Sequence, residues 1–260
     1  MTDSQPAKIS PADYAATRGL RGQRLILDGE ALLDRIAMDL YNTARDRVAE
    51  AGVFHLALSG GRTPKALFQH LMIDPNYRLL PWDRTHVWIV DERCVQPDDD
   101  RLNYNMIREM LIDPSGMPDP NVHPMPVLDE AGDRAYEQAL REALSQPNVD
   151  DRLDFVVLGM GADGHTASLF PQTPGLHERE RWVIFNDGET VAEPRPRMTM
   201  TYPLINAARH IALLVTGESK RDTLRHVAAQ PDDFEQYPVT GIRPAEDGKL
   251  TWYLDRAAAI

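Results

Sequence analysis

The residues best equipped for chemistry fall in one stretch, Leu153 to Pro171, which reads LDFVVLGMGADGHTASLFP. Asp163 and His165 sit there among Gly159, Gly161 and Gly164. A neutral imidazole takes a proton from water near pH 7, so His165 is the general-base candidate, and a carboxylate in the same turn singles the stretch out. The remaining histidines have no such setting; His55 falls in an expected strand and His226 in an expected helix. No HExxH or other metal spacing occurs, so no metal or other cofactor is expected. A serine nucleophile is disfavoured because there is no GxSxG elbow.

A second set of residues suits an anion. Ser59-Gly60-Gly61 precedes an expected helix, and consecutive backbone N–H groups at a positive helix end can cradle a phosphate. An ordinary strand-to-helix turn is the competing reading, and the stretch is neither a P-loop nor a GxGxxG dinucleotide turn. Lys220 lies in the first turn of a helix, where a cation gains nothing from the helix dipole. It is a phosphate ligand or a solvated lysine. Arg195 and Arg197 flank Pro196, and a period of two puts Arg197, Thr199 and Thr201 on one face. Either arginine can grip a phosphate bidentately, or both form a surface pair. Asp91-Glu92-Arg93 ends an apolar strand and either points into a crevice or forms a structural ion pair. Asp98 to Asp100 reads as a solvated loop, and Cys94 as a small packed residue.

These residues need elements to hold them. Leu153 to Leu158 has the length and composition of a strand buried on both faces, and Thr166 to Phe170 resumes an apolar, helix-compatible pattern. Similar units precede it. Arg24 to Leu27 is a first strand, and Gly29 to Ala51 an amphipathic helix stopped by Gly52. Val53 to Leu58 is a buried strand, followed by a helix from Pro64 to about Met72 with Thr63 as its N-cap. Thr85 to Val90 is a strand, with a helix near Leu102 to Leu111. Val122 to Val127 is a short strand and Asp129 to Leu144 a helix. Strands follow at Trp182 to Phe185, from Met198, at His210 to Val215 and at Leu250 to Leu254, with a helix from Gly217 to about Ala229. Alternating strands and helices predict an α/β fold, Rossmann-like, with a mostly parallel sheet between two helical layers. Residues 1–19 are expected to be a loose terminus, and residues 20–260 one domain. In such a sheet ligands bind outside the carboxyl ends of the strands. The turns after Leu58, Val90, Gly159 and Val215 should therefore share one crevice, where the residues suit a phosphorylated small molecule acted on by His165 with water or a carbon acid.

Composition sets the outer limits. Of 260 residues, 42% are hydrophobic and 26% charged, enough for a sizeable core. A net charge of −12 without a basic block argues against nucleic acid or an anionic membrane as partner. An anionic substrate then needs local positive charge. One cysteine excludes a disulfide framework, and the lack of a long apolar run or signal-peptide core predicts a cytoplasmic protein, monomer or homodimer.

The motifs LALSGGRTPKALF, WIVDERCV, LGMGADGHTASLFP, PRPRMTMTYP and TGESK, in this order, resemble 6-phosphogluconolactonases and, more distantly, the glucosamine-6-phosphate isomerases that share their fold. The likeness spans roughly Leu25 to Ala229, and GxGxDGHTASLFP is its specific part. Two places favour the lactonase over the isomerase. Thr166-Ala167-Ser168-Leu169-Phe170-Pro171 stands where isomerases typically read IAFNEP, and Val90-Asp91-Glu92-Arg93 where they carry an MDEY-type segment. The resemblance implies that Ser59, Gly60, Gly61, Arg197 and Lys220 hold the 6-phosphate of a sugar lactone. It implies that His165 activates water, that Asp163 sets the histidine's orientation, and that Arg93 stabilises charge on the substrate or transition state. Backbone N–H groups of the Gly-rich turn are an alternative to Arg93 for the oxyanion. The chain departs from the pattern at Arg62, where many relatives have Ser, and from Tyr237 to Pro244, which lacks the expected small-residue end.

Overall fold

The computed structural model describes residues 19–260, so the loose terminus expected over residues 1–19 lies, Gly19 apart, outside the described residues. In chain order the first half forms β1 (Gln23–Ile26), α1 (Gly29–Ala51), β2 (Phe54–Leu58), α2 (Arg62–Ile73), β3 (Thr85–Ile89) and β4 (Asp91–Arg93). There follow α3 (Asn103–Ile107), a π turn (Arg108–Ile112) running into α4 (Asp113–Ser115), β5 (Val122–His123) and α5 (Gly132–Leu144). The second half contributes β6 (Phe155–Leu158), β7 (Val183–Asn186), β8 (Arg197–Met200), α6 (Tyr202–Ala207), β9 (His210–Val215), α7 (Arg221–Ala229) and β10 (Lys249–Leu254).

Seven strands build one parallel sheet in the order β1-β10-β9-β6-β2-β3-β5, flanked by helices. This is the three-layer α/β architecture expected from the sequence. Every residue of β2, β6 and β9 is buried, which is why these strands read as continuous apolar runs rather than alternating ones. Helix α1 turns Leu32, Ile36, Leu40 and Ala44 inward at helical spacing and ends at Gly52, whose N–H donates to Val48 O. From β2 the chain moves outward through β3 to β5, then returns to β6 and moves the other way to β9 and β10. The strand order therefore reverses between β2 and β6. No helix of the described residues is long and apolar enough to cross a membrane.

Three expectations are corrected, and two elements appear that the sequence does not signal. Strand β4 was not anticipated, because three charged residues carry no strand signal; it pairs antiparallel with β8, and β8 with β7, in a separate three-stranded sheet. Thr166 to Phe170 is a tight turn closed by a Thr166–Leu169 bridge instead of a helix. Side chains outbid the helical pattern there: Thr166 Oγ1 donates to Gly159 O at 2.8 Å, and Ser168 N donates to Thr199 Oγ1 at 3.1 Å. Thr63 is not the N-cap of α2. Gly61, at φ 111°, starts the helix at Arg62, and Thr63 Oγ1 instead shares a hydrogen bond with Thr216 Oγ1 at 3.2 Å. The helix expected near Leu102 to Leu111 is interrupted by the π turn, and α6 had no sequence signal of its own.

At the amino end of the sheet, histidines from β2, β3 and β5 pack together. Trp88 Nε1 donates to His55 Nδ1 at 3.2 Å, His86 Nδ1 and His123 Nε2 are 2.9 Å apart, and the His123 ring stacks on Trp88 at 3.7 Å. Burial pushes His55 down to about 3, with His86, His123 and Arg47 adding, and pushes His123 down to about 4, with His86 adding. Folded, these rings stay neutral, while the unfolded chain takes up protons below the ordinary value of 6.5. Their contribution to stability is thus complete above that pH and is lost as pH falls toward 4. Urea unfolding should show stability falling over this window by up to about 1.4 kcal/mol per pH unit for each proton. His123→Phe, which keeps the stack on Trp88, should flatten that slope.

Candidate active site

Turns from the carboxyl ends of β2, β3, β6 and β9 meet in one cleft of about 910 Å3. It lies where the strand order reverses, the place at which neighbouring connections leave toward opposite sides and open a crevice. Ser59, Gly60, Gly61, Arg93, His165, Arg197 and Lys220 all line it, and Asp163 adjoins it through His165. Seven of the eight residues singled out from the sequence thus share one wall system, and the eighth touches it.

The turn after β2 begins where Ser59 N donates to Val157 O at 3.0 Å, extending the β2–β6 ladder by one bond. The Ser59 hydroxyl is buried and has no hydrogen-bond partner among the described residues, an unmet polar group at the mouth of a helix. Gly60 lies against the Asn103 side chain so closely that a Cβ would overlap the amide. Arg62, at the start of α2, also lines the cleft.

After β6, the chain folds back on itself. Gly161 N donates to His165 O at 2.8 Å and Gly164 N to Gly161 O at 3.2 Å. His165 Nδ1 is 2.6 Å from Asp163 Oδ1, which also accepts His165 N at 3.1 Å. Burial would raise the Asp163 carboxyl, but the bonds from the His165 ring and backbone outweigh it and hold it below the usual range. An ionised carboxylate only accepts, so Nδ1 carries the proton and Nε2 of the neutral ring is the free acceptor. Gly161 has no Cβ because one would collide with both partners of this pair. Phe170 backs the ring at 4.4 Å between centroids, and Thr223 Oγ1 of α7 anchors the loop through Ala162 O at 2.6 Å.

The cations fall into two groups. Lys220 lies near Arg62 and Asp163; burial lowers its ammonium, Asp163 opposes this and Arg62 adds to it. The turn carrying it is held by Asp255, whose carboxylate accepts Gly217 N at 2.9 and 3.0 Å. Arg197 lies near Arg93 instead, buried to 5% exposure, with burial and Arg93 both lowering it and Asp91 and Glu92 opposing. Its Nε and Nη2 donate to the carbonyls of Ala192, Glu193 and Pro194. No hydrogen bond or ion pair of the described residues joins Arg197 to Lys220 or to the Ser59–Gly61 turn. None of the ion pairs among them involves Arg62, Arg93, Arg197 or Lys220 either. Several half-buried or buried cations left without a bonded carboxylate make a cleft that attracts anions.

The sequence pointed to no site role for Asn103, Ser168, Phe170 or Asp255, although Ser168 and Phe170 fall in the stretch that favours the lactonase. Ser168 Oγ donates to Asp91 Oδ2 at 2.7 Å, and Asn103 Nδ2 to Asp91 O at 2.7 Å. Single polar residues in loops carry no periodic signal, so only the fold could bring them forward. Away from the cleft, Asp34, His70 and Asp74 bring possible ligand atoms within 4.8 Å of one another, though Asp34 Oδ1 already accepts the Tyr77 hydroxyl at 2.6 Å. The oxyanion role considered for the Gly-rich turn is narrowed, since Gly161 N and Gly164 N are both committed to carbonyls inside it.

The fold and cleft define a class: a Rossmann-like α/β protein with an anion-attracting cleft at its strand-order reversal and a His–Asp pair on the wall. Residues 27–252 match the family described as glucosamine-6-phosphate isomerases/6-phosphogluconolactonase, and the chain belongs to it. It is 40% identical over 236 residues to the 6-phosphogluconolactonase of Nostoc sp., covering 89% of this chain and 94% of that one. It is 39% identical over 236 residues to the GDH/6PGL endoplasmic bifunctional protein of Oryctolagus cuniculus, covering 89% of this chain but 29% of the relative's length. The chain thus spans about a third or less of the mammalian bifunctional relatives it matches. Among solved structures, the 6-phosphogluconolactonase of Trypanosoma cruzi superposes with a TM-score of 0.79 at 26% identity, over 92% of this chain and 96% of that one.

Gly60→Ala tests the close packing of the anion turn. Forcing a methyl into the Asn103 amide should cost about 1–3 kcal/mol of stability. Calorimetric titration should also show weaker binding of inorganic phosphate than by the wild-type chain.

Proposed function

We propose that the chain is a carboxylic ester hydrolase that opens 6-phospho-D-glucono-1,5-lactone to 6-phospho-D-gluconate, a step of the oxidative pentose phosphate pathway. The observation that carries this reading is the His165–Asp163 pair, with the ring's Nε2 left as a free acceptor beside cations that have no bonded carboxylate among the described residues. The names of the Nostoc and rabbit relatives support the same substrate.

Ser59, Gly60, Gly61 and Lys220 hold the 6-phosphate: the Ser59 hydroxyl lacks a partner, and the first turn of α2 offers free N–H groups. Arg197 completes the grip with Nη1, the guanidinium nitrogen its carbonyl bonds leave unused. Anchoring at C6 turns attack at C1 into a positioned reaction. Water adds to the lactone carbonyl as His165 Nε2 takes its proton, and Asp163 stabilises the imidazolium that forms. Arg93 faces the oxyanion, since the N–H groups of Gly161 and Gly164 are committed elsewhere. The C1–ring oxygen bond then breaks, the ring oxygen takes the proton back from His165, and the acid formed ionises in solvent. The cycle consumes one water and needs no redox partner.

A lactone-hydrolysis assay, corrected for spontaneous opening, tests the reading. His165→Ala should lower kcat by about 10²–10⁴-fold, and near-normal kcat would remove the histidine from the base role. Lys220→Ala should chiefly raise KM, because phosphate is gripped in ground and transition states alike. Incubating the chain with glucosamine 6-phosphate in heavy water should leave the sugar free of carbon-bound deuterium. Incorporation would instead identify the isomerase reaction of the same family, with Asp91 as the base.

A further inference from the structure

A carboxylate with no ion pair to either group of cleft cations is placed to organise both a cleft cation and the support of the anion turn. Glu92, in the middle of β4, is 1% exposed. Its Oε1 accepts the backbone N–H of Arg93 and of Asn103, and its Oε2 that of Tyr104, each at 2.8 Å. A buried carboxylate ordinarily pairs with a cation or gives up its charge. Here three backbone donors oppose the burial that, with Asp91 adding, pushes its carboxyl up to about 7, and no ion pair of the described residues includes it. Asn103 and Tyr104 are the first two residues of α3, whose own N-cap, Leu102, supplies no side-chain bond. Glu92 therefore caps that helix from the neighbouring strand.

Each donor leads to the cleft. Asn103, fixed by its N–H to Glu92 and by its side chain to Asp91 O, is the residue whose amide packs on Gly60. Arg93, fixed by its own N–H, lines the cleft; its Nη1 donates to Arg101 O, and its Nε is buried without a partner. One side chain thus ties both ends of the loop 93–103 together, with a cleft cation at one end and the support of the anion turn at the other. The acceptor set matters as well as the shape, since both carboxyl oxygens receive N–H groups. An ionised carboxylate is acceptor-only and suits three donors, whereas an amide in its place would turn an N–H toward one of them. Asp91 and Arg93 on the same strand, Cys94 beyond it, Arg197 on β8 and Tyr136 on α5 are the titratable or charged groups around it.

We propose that Glu92 is a positioning residue for the reaction, its carboxylate setting Arg93 and Asn103 so that the guanidinium and the Ser59–Gly61 turn hold opposite ends of one substrate. The inference rests on the lactonase reading only for its kinetic assay. Glu92→Gln should lower kcat/KM on the order of 10²-fold, the effect of a misplaced rather than missing group, with KM raised and kcat lowered together. In an Arg93→Gln background the same change should cost markedly less in kcat, because part of its effect runs through Arg93. Calorimetry should show inorganic phosphate binding at least about tenfold weaker than by the wild-type chain, a readout of the turn alone. Should Glu92→Gln fail to fold, Asn103→Ala carries the test, with the same loss of phosphate affinity expected. Additive effects in the double variant, or unchanged phosphate affinity in a folded variant, would overturn the proposal, as would a wild-type chain that binds no phosphate. A wild-type chain that binds phosphate but opens no lactone would sink the lactonase reading instead, with the role of Glu92 still decided by calorimetry.

Discussion

The hydrogen-bonded seam between β2 and β6 is the constraint on which the cleft depends. Leu56, Ala57 and Leu58 pair in register with Phe155, Val156 and Val157, and Ser59 N adds one more rung on Val157 O. Two parallel strands locked in that register must end side by side, so the anion turn and the His–Asp turn open from the same edge. Both strands are wholly buried, and a slip along either would expose backbone donors that nothing else could satisfy. The strand order reverses at this seam, so the connections leave on opposite sides and the edge stays open for a ligand.

Charge is arranged against the average of the molecule. The chain carries a net charge of −12, yet the cleft collects Arg62, Arg93, Arg197 and Lys220 without a bonded carboxylate. Nearby acids are turned to other tasks: Asp163 to the His165 ring, Asp91 to the Ser168 hydroxyl, Glu92 to three backbone N–H groups and Asp255 to the Gly217 turn. Each holds backbone or a neutral partner in place while leaving the cations to an incoming anion. Low-dielectric walls focus the field of these cations within the cleft, against the net negative charge of the whole chain.

The small antiparallel sheet does work that the parallel sheet cannot. Parallel strands end at the cleft edge, but β4, β8 and β7 run past it and carry Asp91, Arg93 and Arg197 across one side. Thr199 on β8 receives Ser168 N, which ties this second sheet to the turn following His165. Ser168 is also bonded to Asp91 of β4 and Asn186 of β7, so all three strands of this sheet hold that turn.

Much of this was legible in the sequence, and the division has a physical basis. Buried parallel strands and amphipathic helices announce themselves by composition and period, so α1, β2, β6 and β9 could be placed almost to the residue, and with them the turns that hold Ser59 and His165. The likeness to the lactonase motifs named most of the residues in those turns. What the linear order did not contain was anything set by long-range side-chain bonds. The strand Asp91–Arg93 has no strand-like residue, and exists because β8 lies beside it. The segment after His165 has a helical pattern but is held as a turn by Thr166, Ser168 and Thr199. Residues 62 and 220, and residues 93 and 197, become neighbours only in the fold, which put Lys220 with Arg62 and Arg197 with Arg93. Local pattern determined the parallel strands, the longer helices and the turns that line the cleft. The tertiary structure decided how the charges are grouped and which carboxylates hold them, since those energies depend on distance and burial that no spacing along the chain encodes.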